Sequence, residues 1–156
     1  MPKHTTNHSH NHHTTSNTSS TSTNNHNHNQ QVFESFKVAE ELTRNTPLSS
    51  AAQTTLASLN ILTDSDDNVL LTATIGWVST TNVTIIFRIL RDNIEIFQTQ
   101  ESVAASTNRT TSFSWVDTNI LNLGDHLYSL TAQIKNAGEA ATVIGPVVLT
   151  AAEIDK

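Results

Sequence analysis

From Val69 to Trp77 every second residue is apolar (Val69, Leu71, Ala73, Ile75, Trp77), and Thr72, Thr74 and Gly76 fill positions between them. Successive side chains of an extended strand point to opposite faces, so this pattern describes an inward face backed by an outward one. The same parity returns in Val83, Ile85, Phe87 and Ile89, in Phe113 and Trp115, and in Tyr128, Leu130, Ala132 and Ile134. A helix, at 3.6 residues per turn, would scatter each of these sets around its circumference. The chain is therefore committed to half-buried strands.

Turn residues separate the runs. Strands are expected over 54–62, 69–77, 83–91, 94–97, 110–117, 126–135 and 141–154, seven in all, with an eighth if the N-terminal apolar cluster is counted. Asp64-Ser65-Asp66-Asp67-Asn68 breaks the first from the second. Asp92-Asn93, two Asx residues between β runs, suits a type I′ hairpin. Pro146 inside the last run implies an edge position or a bulge there. Short strands without a convincing helix give an all-β antiparallel sandwich of jelly-roll or Greek-key type.

The N-terminal fifth has the opposite character. Lys3 to Gln31 is built of Asn, Thr, Ser, His and Gln with no aliphatic residue, so it has no apolar surface to offset the entropy of ordering. The expected organisation is a disordered or extended low-complexity arm over 1–31, a connector over 32–50 and the sandwich over 51–156. Val32-Phe33-Glu34-Ser35-Phe36-Lys37-Val38 opens the connector, and Asn45-Thr46-Pro47 closes it. With period two, Val32, Phe36 and Val38 share a face that Glu34 spoils; with period 3.6, Val32, Phe36 and Ala39 form a stripe and Ala39-Glu40-Glu41-Leu42 favours helix. Strand and helix both stand at this point.

Composition narrows the function. The chain of 156 residues has no cysteine, which excludes disulfides, thiolate metal sites and a cysteine nucleophile. A net charge of −6 with eight Lys and Arg offers no basic stripe, so neither nucleic acid nor membrane is expected as a partner. Met1-Pro2-Lys3-His4 leads into polar residues where a signal peptide needs an apolar segment, so export through the Sec route is not expected.

Each candidate for chemistry has a plainer reading. His4, His8, His10, His12, His13, His26 and His28 supply imidazoles for a transition metal, but an arm without fixed geometry or supporting contacts reads as a solvated tail. Asp64-x-Asp66-x-Asn68 imitates a calcium loop, yet Val69 replaces its glycine and Ile75 its bidentate glutamate. His126 beside Asp125, with Ser112 and Ser114 upstream, lacks any nucleophile elbow. Trp77, Trp115 and Tyr128 could make a sugar platform, but each shares its parity with apolar neighbours and reads as core. We expect no catalytic, cofactor-binding or metal-ligating residue, no cofactor and no enzyme.

Several of these stretches together carry a resemblance. Val69-Leu70-Leu71-Thr72-Ala73-Thr74-Ile75-Gly76-Trp77, Ile86-Phe87-Arg88-Ile89-Leu90-Arg91, Phe113-Ser114-Trp115-Val116-Asp117 and Gly145-Pro146-Val147-Val148-Leu149-Thr150-Ala151 resemble the small exosporium and endospore-appendage proteins of Bacillus-type spore formers. The resemblance covers residues 54–154. It implies a jelly-roll subunit that polymerises into a fibre on the spore surface, with an N-terminal connector reaching into a neighbouring subunit. It also implies synthesis in the mother cell without a signal peptide, and other exosporium or tip proteins as further partners. The disulfide-linked class of these subunits carries connector cysteines, so a fibre of this chain would be held noncovalently, as in the cysteine-free thin type.

The joint can be stated in physical terms. An extended arm adds a strand to a sheet edge of the next copy while Val32, Phe33, Phe36 and Val38 enter apolar grooves, and such a head-to-tail contact propagates as a filament. The alternative is a non-enzymatic ligand-binding or adaptor sandwich, recognising a carbohydrate or receptor or anchoring another fibre.

Overall fold

The computed structural model describes residues 33–41, 45–63, 67–120 and 122–154. Among these described residues, within the compact unit Gln31–Lys156, nine strands follow one another: β1 (Phe33–Glu41), β2 (Thr46–Pro47), β3 (Thr54–Thr63), β4 (Asn68–Ser79), β5 (Val83–Arg91), β6 (Ile94–Val103), β7 (Asn108–Asp117), β8 (Gly124–Ile134) and β9 (Ala141–Ile154). The apolar cluster that fitted strand and helix alike is strand β1. Pairing decides it, because the run lies antiparallel along β9 from Glu41 opposite Val147 to Phe33 opposite Ile154.

Two antiparallel sheets form the sandwich, one ordered β1-β9-β4-β7 with β2 also on β9, the other β3-β8-β5-β6. The pairings β1·β9, β3·β8, β4·β7 and β5·β6 are nested, first long strand with last, second with next to last. They amount to one long hairpin whose tip is the Asp92-Asn93 turn, rolled up on itself, which is jelly-roll topology. Asp92 (φ 51°) and Asn93 (φ 67°) both sit in the left-handed region, as the type I′ turn requires.

The inward faces are those the parity marked. Val69, Leu71, Ala73, Ile75 and Trp77 of β4 meet Ile85, Phe87 and Ile89 of β5 and Tyr128, Leu130 and Ala132 of β8, all fully buried. Trp115 departs from expectation. It lies on β7, the outermost strand of its sheet, and is 41% exposed, because an edge strand has no neighbour to cover the outer part of a large ring. It stacks on Phe97 of β6 (centroids 5.1 Å apart), Phe97 on Phe113 (5.4 Å) and Phe113 on Phe87 (6.2 Å). These rings close the seam between the β6 and β7 edges. Further along it, Trp77 Nε1 donates to Thr111 Oγ1 (2.8 Å), Thr111 Oγ1 donates to Glu101, and Arg109 pairs with Glu101 at 3.2 Å.

Pro146 sits in a bulge. β9 pairs with β4 up to Ile75 opposite Val147 and resumes at Trp77 opposite Val143, so Gly76 faces the extra residues Ile144, Gly145 and Pro146. The bulged backbone leans onto β4 there: a Cβ on Gly76 would lie 2.0 Å from the Gly145 carbonyl oxygen. The interruption also falls between the two short partners of β9's outer edge, β1 ending opposite Val147 and β2 starting opposite Val143.

Candidate assembly interface

β1 is the outer strand of its sheet and runs beside β3, the outer strand of the other. Of the connector residues, Val32 lies outside the described residues. Phe33 and Phe36 are both in β1, and the register against β9 slips by one between them. Val38 stands opposite Thr150 and is 48% exposed, so it is not an apolar anchor in the isolated subunit. Lys37 is exposed as well, and Ala39 is the described β1 side chain packed on the core.

This division matters energetically. Seven registered pairs hold β1 to β9. Each intramolecular hydrogen bond contributes about 1 kcal/mol net, while each residue ordered costs about 1–2 kcal/mol of backbone entropy. Backbone pairing alone does not offset the cost of ordering a strand of this length, so side-chain contacts must add to it. Val143, Val147, Leu149 and Ala151 of β9 are buried in the core of the sandwich. β9 thus presents an outer edge along which an extended strand pairs.

The strand begins at the end of the sandwich that carries the β5–β6 turn and the β7–β8 loop, for Phe33, Ile154 and Asn68 stand in one row. A polar cluster occupies the same end. Asp117, 3% exposed, accepts from Arg91 Nη1 (2.7 Å) and Tyr128 Oη (3.0 Å) through Oδ2 and from the Asn119 amide (3.2 Å) through Oδ1. Burial, and then the neighbouring Asp117 charge, push the Tyr128 phenol well above its ordinary range. This group is structural: a buried carboxylate with donors on both of its oxygens.

His126 sits beside it, 9% exposed. Its carboxylate partner is Asp92, Nδ1 to Oδ2 2.7 Å, across 34 positions of sequence, and not the adjacent Asp125. Its Nε2 meets the Asn122 carbonyl at 3.0 Å. With both nitrogens engaged and no serine on either, the histidine has no nucleophile to activate. Asp64 and Asp66 of the calcium-like loop lie outside the described residues. Among the described residues no group of three His, Asp or Glu could hold a metal ion, and no helix is long and apolar enough to cross a membrane.

No protein-family model matches the chain, and no curated protein does. Similar solved structures include dimeric latent PorU from Porphyromonas gingivalis, at 10% identity and a TM-score of 0.46 over 81% of this chain. The T13 particle of infectious bursal disease virus is similar over 77% of the chain at 14% identity and a TM-score of 0.46. The carbohydrate-binding module CBM36, in complex with calcium and xylotriose, is similar over 74% at 12% identity and a TM-score of 0.41. The matched regions are 13%, 37% and 97% of those chains, so this chain spans a small part of the first two.

Proposed function

We propose that this protein is a non-enzymatic structural subunit that self-assembles noncovalently into a surface fibre by lending β1 to the β9 edge of a neighbouring copy. The observation that carries the reading is the β1–β9 pairing itself. That pairing puts β1 in antiparallel register along the outer edge of β9, from Glu41 opposite Val147 to Phe33 opposite Ile154. Exchange of an identical element between copies keeps every contact and changes only which chain supplies it, so its intrinsic cost is low. Where each copy passes its strand onward and not back to its donor, the joint is heterologous and continues as a filament. The resemblance to exosporium and endospore-appendage proteins supports a spore-surface setting, with self as the principal partner and other exosporium or tip proteins as further ones.

The test is negative-stain electron microscopy of the full chain beside the double variant Phe33→Ser, Phe36→Ser. Filaments from the parent and dispersed, folded subunits from the variant are expected. Equal filament yield from both would remove β1 from the joint.

One observation favours a second reading, a carbohydrate- or receptor-binding module: the exposed ring of Trp115 stacked on Phe97. Size separates the two. A binding module keeps a fixed size on dilution, whereas a fibre subunit grows with concentration.

A further inference from the structure

His126 is the one histidine outside the N-terminal arm, and both of its ring nitrogens face groups that can only accept. Asp92 Oδ2 is a carboxylate oxygen and the Asn122 oxygen is a backbone carbonyl, at 2.7 and 3.0 Å. A neutral imidazole has one N–H and would turn a lone pair toward one of them. Only the imidazolium satisfies both.

Those two acceptors belong to different connections. Asp92 is the first residue of the β5–β6 turn, and Asn122 lies in the β7–β8 loop. Asp92 has other ties: its amide donates to the Leu127 carbonyl (2.9 Å) and its Oδ1 accepts from the Leu127 amide (3.0 Å). The first part of the loop is likewise held independently, by buried Ile120 and by the Asn119 amide on Asp117. Among the described residues the tie at Asn122 is His126 itself, and the next residue, Leu123, is an exposed large apolar side chain.

We propose that His126 is a protonation-dependent clamp: as an imidazolium it bridges the β5–β6 turn and the end of the β7–β8 loop, and on losing its proton it keeps Asp92 and releases Asn122. Asp92 is the partner retained because its negative charge holds the remaining proton on Nδ1. The charged surroundings fit this assignment. Asp92 favours the cation, Arg91 of the same turn opposes it but is drawn to Asp117, and Tyr128, next on the inward face of β8, stays neutral. Asp125 is exposed on the opposite face of β8, and from β3 the residues facing inward at this end, Ile61 and Thr63, carry no charge. On the facing sheet, buried Glu153 of β9 has its own partner, and Asp67 precedes β4 at the same end. Burial works against the cation, and the bonds to Asn122 and Asp92 outweigh it, so the ring titrates above the ordinary histidine value.

The experiment is long-range proton–nitrogen NMR of the full-length protein from pH 5 to 9, with the seven arm histidines as internal references and His126→Gln to assign the signal. The expected result is a His126 midpoint above that of the arm residues, with both ring nitrogens protonated below it and the proton on Nδ1 above it. The steady-state nuclear Overhauser effect at Leu123 should fall through the same midpoint while that of Ile134 stays constant. Asp92→Asn should move the His126 midpoint down toward the arm values. A midpoint at or below those of the arm histidines, or a Leu123 signal unchanged across the His126 titration, overturns the proposal. If the substitutions fail to fold, the parent's two readouts still decide it.

Discussion

Replacing Gly76 with alanine puts a methyl group where the bulge of β9 already stands. The added Cβ would lie 2.0 Å from the Gly145 carbonyl oxygen and 2.5 Å from its carbon. The carbonyl must retreat by about 1 Å before reaching the 3.0 Å below which real Cβ contacts essentially never fall. Both atoms it meets are backbone, and β4 and β9 are the two inner strands of their sheet, so no side-chain rotation relieves the overlap. Overpacking of this kind costs about 1–3 kcal/mol, and a backbone obstacle places it at the upper end. Alanine in place of glycine in a strand returns roughly 0.5–1 kcal/mol, which leaves a net loss of about 2 kcal/mol. For a domain of this size that is a fall in melting temperature of roughly 6–10 °C. Urea unfolding followed by tryptophan fluorescence reads it directly, since Trp77 is the next residue. Gly138 (φ 85°), with nothing within 4 Å of its ideal Cβ, gives the control: Gly138→Asn meets no atom and carries only the strain of a left-handed backbone, which Asn tolerates, so it should cost less than about 1 kcal/mol. A Gly76→Ala variant as stable as its parent would refute the close approach of β4 and the bulge.

Trp77 and Trp115 are the chain's two tryptophans, one buried and one exposed, so acrylamide should quench about half of the native emission and almost none in Trp115→Phe. Tyr128→Phe removes a buried donor from Asp117, which keeps Arg91 and the Asn119 amide, so denaturant midpoints should report a loss of about 1–1.5 kcal/mol. The Asp92–His126 pair shapes stability against pH from both sides. The His126 value is raised on folding, so its contribution is complete below the unfolded value of 6.5 and fades as pH rises through the folded one. Burial raises the Asp92 value, but hydrogen bonds to His126 and Leu127 leave it lowered, so its contribution is present above 3.8 and fades as pH falls through the folded value. Melting temperature should therefore sag at both ends of a pH 3–9 series, and His126→Ala should flatten the alkaline side; an unchanged alkaline slope would sink the assignment.

What could be read from sequence followed the strength of the local signal. β4, β5 and β8 show their inward faces because strands buried on one side alternate strictly, and Asp92-Asn93 marks the β5–β6 turn, although β6 runs on to Val103, beyond the expected 94–97. β1 stayed ambiguous because seven residues hold too little of either period, and its conformation comes from β9, over a hundred positions away. Trp115 was misplaced for a related reason. Parity tells which face a ring is on, while exposure depends on whether a neighbouring strand lies alongside, and that is fixed by the order of strands in the sheet. The His126–Asp92 contact left one trace, an Asp where a hairpin turn would take Asn equally well, but nothing local ties that turn to β8.

Passage of β1 from one copy to the next can be blocked or trapped by a disulfide lock. Val38 and Thr150 are register partners across β1 and β9, and the chain has no other cysteine to compete. Paired strands bring Cα atoms to about 4.5–5.5 Å, within the range a disulfide spans. Val38→Cys, Thr150→Cys should form filaments when reduced and none when oxidised beforehand as a dilute monomer. Oxidising preformed filaments should link chain to chain, giving a ladder on a non-reducing gel. Filaments that grow from the oxidised monomer, or that yield only intrachain disulfides, would contradict strand exchange.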